Sequence, residues 1–146
     1  MFELLPGTGL VLPHGVGVLR FGMSEREAQW VVAALADVRE TWVCQTDWAF
    51  SACYEGLELL VWGDTTDRLG RAGYDRQGCA TAVLHRHERR PTTPSAVPVV
   101  LDGVDVFGYP AAEVMAALGA DLHPALRFPR VQSPGAYLAD VSVSAM

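Results

Sequence analysis

His85 and His87 stand two residues apart in the segment HRHER. On a β-strand that spacing sends both imidazoles to one face, a usable pair of ligands for a metal ion. Cys79 and Glu88 lie close by in sequence, and Cys79 completes a candidate metal set with His85 and His87. Zinc sites usually need three or four protein ligands, and the chain has no second C-x-x-C or H-x-x-x-H to supply them. The plain alternative is polar alternation at an exposed strand end. His14 and His123 sit beside turn residues and carry no motif.

Signatures of catalysis are missing. There is no G-x-S-x-G elbow, and the glycines of GTGLVLPHG match neither a Walker nor a dinucleotide-binding loop. Asp64, Asp67, Asp75, Asp102 and Asp105 are scattered through turn-like segments, where carboxylates usually shape the backbone. We assign no catalytic residue and no cofactor.

The aromatic residues are more suggestive, with four tryptophans in 146 residues. Trp42 and Trp48 fall on one face of an expected strand, and Trp62 on another strand. Trp30 lies about 160° from the centre of its helix's apolar stripe, at 100° per residue. Trp30, Trp42, Trp48 and Trp62 are therefore the candidate binding residues, since Trp, Tyr and Arg dominate interface hot spots. The alternative places Trp42 and Trp62 in a sheet–helix core and Trp30 beneath the N-terminal segment.

Elements must hold these residues in place. Ser24 followed by Glu27 has capping-box spacing, and Ala28, Val31, Val32 and Leu35 form one apolar stripe. The pattern predicts a helix over 25–37. A second is expected over 110–118, with Pro110 at its first position and Gly119 ending it. Strands are expected at Thr41–Trp48, Leu57–Trp62, Cys79–His87, Leu126–Val131 and Ala136–Val143. A further strand, Val97–Val106, is broken by Asp102-Gly103. Arg68–Tyr74 is a weaker strand, DRQG at 75–78 a turn and ERRPTTPS at 88–95 a loop. Residues 1–15, rich in Pro and Gly, read as a loop or short strand.

The stretch GVGVLRFGMSEREAQWVVAAL, residues 15–35, has a second version in LDGVDVFGYPAAEVMAALGA, residues 101–120. At an offset of 86, Gly17, Val18, Phe21, Gly22, Glu27 and Ala34 find identical partners in Gly103, Val104, Phe107, Gly108, Glu113 and Ala120. The fold class expected is α+β: two helices packed on one face of an antiparallel sheet, built from an approximate internal duplication. Residues 1–146 read as a single domain, with 16–87 a first helix-plus-sheet unit and 97–146 a shortened second.

The first copy resembles the helix opening of the BamE/SmpA outer-membrane assembly lipoproteins, and a similar unit occurs twice in the secreted β-lactamase inhibitor proteins. That resemblance implies a helical layer on an antiparallel sheet and a role in binding other proteins. It carries no binding residue to this chain, because the motif builds the helix.

Composition bounds the rest. The net charge is −6, the reverse of a nucleic-acid backbone binder. All eleven basic residues are Arg, as codon bias in a GC-rich bacterial genome produces. No apolar run has membrane-spanning length, and the N-terminus lacks the basic region of a signal peptide. Cys44, Cys53 and Cys79 are an odd set, read as reduced and mostly buried thiols of a cytoplasmic protein. The function these features favour is non-enzymatic binding of another protein, of basic character, as an inhibitor or immunity-type protein; a homodimer is an alternative assembly. The rival reading is a small-molecule- or metal-binding protein, or an enzyme, with a pocket near His85, His87 and Cys79.

Overall fold

The computed structural model describes residues 1–64, 78–131, 133 and 135–145. The strand expected at Arg68–Tyr74 and the residues of the DRQG turn before Gly78, and with them Asp67 and Asp75, lie outside the described residues.

Among the described residues the chain is α+β, with two helices and mostly antiparallel sheets. The first half contains β1 (Phe2–Leu5), β2 (Gly9–Val11), β3 (Val18–Arg20), α1 (Glu25–Ala33), β4 (Arg39–Thr41), β5 (Trp48–Tyr54), β6 (Leu57–Asp64) and β7 (Gly78–Arg86). The second contains β8 (Val99–Leu101), β9 (Val104–Asp105), α2 (Ala111–Leu118), β10 (Leu126–Arg127) and β11 (Asp140–Ser144).

These strands form two sheets where the sequence suggested one. Five run in the order β3-β2-β1-β8-β9 and six in the order β10-β11-β7-β6-β5-β4. The extra sheet comes from the N-terminal segment. Phe2, Leu4, Leu10 and Leu12 are all buried, so this Gly/Pro-punctuated stretch carries core residues on paired strands. β1 pairs antiparallel with β2 and parallel with β8, which joins the two halves of the chain. Helix α1 packs against β3, β5 and β7, and α2 against β9. Between the sheets, the Phe2 ring meets Tyr54 edge-on at 6.0 Å.

Two-residue turns set the registers. Glu55 and Gly56 both have positive φ and join β5 to β6, pairing Tyr54 with Leu57. Asp102 and Gly103 do the same between β8 and β9. In β6 the odd positions are buried and the even ones half-exposed, the alternation of a sheet with one core face. Where β6 meets β7, Trp62 pairs with Thr81 but Gly63 with Cys79, leaving Ala80 as a bulge.

Several boundaries differ from the sequence reading. The segment expected as a strand over Thr41–Trp48 is a β4–turn–β5 corner. Gln45 has φ 66° and the Thr46 hydroxyl donates to the Val43 carbonyl at 2.9 Å, a local bond that competes with a ladder. Helix α1 stops at Ala33, as the Leu35 and Ala36 amides fold back onto the Val32 carbonyl. Pro110 occupies the position before α2, with extended angles, and Gly119 ends that helix at φ 81°. β10 and β11 are shorter than the expected strands, and Tyr137 contributes only an isolated bridge to Pro110.

Ser24 caps α1 as its spacing indicates. Its Oγ accepts from the Glu27 amide at 3.2 Å and donates its own proton to the Glu27 carboxylate at 3.0 Å. Replacing it leaves a first-turn N–H without its side-chain acceptor. Ser24→Ala is expected to lower stability by about 1 kcal/mol, read as a lower denaturant midpoint at unchanged m-value.

Candidate functional site

The four tryptophans separate by environment. Trp48 points into the core and stacks on Phe50, with ring centroids 5.9 Å apart and planes within 7°. Trp62 is half-buried on the opposite, outer face of the six-stranded sheet. It lines a cleft of about 570 Å³ with Thr81, Pro124, Arg127, Ser142 and Ser144. Trp30 and Trp42 are each 79% exposed. The N-terminal segment therefore does not bury Trp30, and the corner between β4 and β5 carries Trp42 away from any face shared with Trp48.

Helix α1 explains how Trp30 comes to lie in water. Ala28 and Val32 are fully buried and Val31 and Leu35 pack against the core, so the stripe is spent on the sheets. Trp30 projects from the other side. The aligned position in α2, Ala116, is also exposed.

The histidine set is rearranged. β7 buries Cys79, Ala82, Leu84 and Arg86, with the bulge at Ala80 shifting the phase, whereas His85 and His87 are exposed on the outer face. Cys79 thus faces the core, on the opposite side of the sheet. At about 3.3 Å per residue it is also roughly 20 Å along the strand from His85. It cannot share a ligand shell with the histidines. Burial pushes its thiol up to about 12, leaving it inert as a nucleophile or ligand.

A different cysteine replaces it. The β5–β6 register puts Cys53 directly opposite Glu58, and the β6–β7 register puts Glu58 opposite His85. The Cys53 thiol faces Glu58 Oε2 at 4.0 Å, and His85 Nε2 faces Glu58 Oε1 at 3.4 Å. Donor atoms of Cys53, Glu58 and His87 all lie within 4.8 Å of one another. Asp140 extends the row opposite His85; burial raises its carboxyl above the usual range, and the neighbouring His85 opposes that rise. Glu55-Gly56 is a turn candidate in the sequence; that a two-residue turn after Tyr54 brings Cys53 opposite Glu58 shows only in the strand register.

Other candidates take structural roles. His14 Nε2 and the Tyr54 hydroxyl share a hydrogen bond at 2.7 Å, and His123 Nδ1 accepts from the Ala125 amide. Asp105 accepts from the Val99 and Phe107 amides, shaping the β8–β9 hairpin. All three cysteines are free; Cys79 is buried, but Cys44 and Cys53 are exposed, against the expectation of mostly buried thiols. A second cleft, of about 450 Å³, lies beside the start of α1 and is lined by Ser24, Arg26, Gln29, Trp48 and Asp64 among others. Neither cleft is lined by His85, His87 or Cys79.

No protein-family model, curated protein or solved structure matches this chain. The helix-opening resemblance therefore rests on its motif alone. Among the described residues, no helix is long and apolar enough to cross a membrane.

The contrast between the two sheet tryptophans is measurable. Trp48→Ala removes a buried, stacked ring and is expected to cost about 3–5 kcal/mol. Trp62→Ala removes a half-exposed one and is expected to cost less than half as much. Denaturant unfolding of both variants, fitted with a common m-value, checks the order.

Proposed function

We propose that the chain is a non-enzymatic protein-binding module that engages its partner through the exposed tryptophans Trp30 and Trp42. The observation that carries this reading is the 79% exposure of Trp30 on a helix whose apolar stripe is already buried. An indole offers about 150–250 Å² of contact area, and leaving it in water contributes nothing to the fold. Trp is also, with Tyr and Arg, among the residues enriched at interface hot spots.

The internal comparison supports the same reading. α1 and α2 begin at Glu25 and Ala111, the offset of the sequence repeat, and each follows the second strand of a hairpin in the five-stranded sheet. Buried Ala28 and Val114 correspond, as do exposed Trp30 and Ala116. We read the two as copies of one duplicated hairpin–helix unit. That unit accommodates alanine where the first copy carries tryptophan, so the ring serves something other than the helix. The helix-opening resemblance, drawn from proteins that act by binding proteins, agrees.

The net charge of −6 suits a basic partner, in the manner of an inhibitor or immunity protein. Free thiols at Cys44, Cys53 and Cys79 suit a reducing cytoplasm.

Trp30→Ala tests the reading. Monomer stability should stay within about 0.5 kcal/mol of wild type, as for an ordinary surface substitution. Association should weaken by about 2 kcal/mol or more, measured by sedimentation for a second copy and by affinity capture for another partner. A stability loss of about 3–5 kcal/mol with unchanged association would identify a buried structural ring and overturn it.

A further inference from the structure

We propose that Cys53, Glu58 and His87 form a binding site for one divalent transition-metal ion of the zinc class, with His85 positioning the Glu58 carboxylate. The site is independent of the tryptophan surface. It rests on the register of three adjacent strands and on the chemistry of the donors that this register assembles.

Cys53 on β5, Glu58 on β6 and His85 on β7 occupy directly opposed positions, on strands about 4.7–4.9 Å apart. His87 follows two residues after His85. Its backbone is held at the hairpin tip, where its amide donates to the Gly56 carbonyl at 3.2 Å. The ligand atoms of Cys53, Glu58 and His87 already lie within 4.8 Å of one another. A tetrahedral shell with the usual zinc–sulfur, zinc–nitrogen and zinc–oxygen lengths needs separations of about 3.3–3.8 Å. Exposed or half-exposed side chains supply that contraction by small rotations, without moving the strands.

The donor set selects the ion. A thiolate and an imidazole favour zinc, cobalt or copper, and one carboxylate is a poor basis for magnesium or calcium. On binding, the Cys53 thiol gives its proton to solvent as the sulfur coordinates. Three protein ligands leave a fourth position open to water. Glu58 already meets Cys53 through one oxygen and His85 through the other, at 4.0 and 3.4 Å. His85 is thus placed as an outer partner that fixes the carboxylate, the arrangement that tunes metal affinity from outside the shell.

Cobalt(II) titration of the freshly reduced full chain tests the site, followed by absorption and calorimetry and repeated with zinc. The expected result is one equivalent bound, with a thiolate-to-cobalt charge-transfer band. Cys53→Ser abolishes the band, and Cys44→Ser, which alters the other exposed thiol, leaves it. His87→Ala weakens binding by at least tenfold, and His85→Ala by roughly tenfold to a hundredfold while the band survives. Circular dichroism establishes that each variant is folded. Absence of the band in the wild-type chain, its persistence in Cys53→Ser, or its loss in Cys44→Ser would overturn the proposal.

Discussion

Glu55 and Gly56 adopt φ values of 50° and 83°, and the two-residue turn they make fixes the pairing of β5 with β6. Side chains on a strand alternate with a period of two, so this single register decides which residues are inside. Phe50, Ala52, Leu57, Leu59 and Val61 enter the core, where the β1 residue Phe2 reaches Tyr54. A slip of one residue would turn these groups into water and bury Glu58. The same register lines up Cys53, Glu58 and, through β7, His85 on the outer face. Core and candidate metal site are thus two sides of one constraint.

Parts of this were legible in the residues. The Ser24–Glu27 cap, the stripe through Ala28 and Val32, the outward position of Trp30 and the Asp102-Gly103 turn all rest on local chemistry. Each holds because the signal and its partner lie within a few residues. The five-stranded sheet was not legible. Gly7 and Gly9 read as loop punctuation, yet Gly9 sits inside a strand where a Cβ would strike the Leu19 carbonyl of β3. A glycine demanded by close backbone approach looks the same in sequence as one demanded by a loop.

The candidate metal set was misgrouped for a related reason. Cys79 was grouped with His85 and His87 by nearness along the chain, but the bulge at Ala80 and the strand alternation place it across the sheet. Cys53 belongs to a different strand, and only the hairpin register brings it to Glu58 and His87. Trp42, Cys44, Thr46 and Trp48 alternate like a strand, and the Thr46–Val43 hydrogen bond overrides that pattern. Tertiary pairing and side-chain-to-backbone bonding outweigh periodicity where the run is short.

The exposed tryptophans and the Cys53 row share one property: each lies on positions the core has left over, Trp30 opposite a buried stripe and the row opposite a buried sheet face. The sorting of inner from outer positions is the claim on which both proposals stand. Thiol-reagent kinetics on the native, metal-free chain test it most directly, because the three cysteines sample both sides. Two rapid equivalents are expected, from Cys44 and Cys53, and a third from Cys79 only on unfolding, since its thiol is buried and its pKa raised to about 12. Three rapid equivalents, or a rapid Cys79 with a protected Cys53, would contradict it.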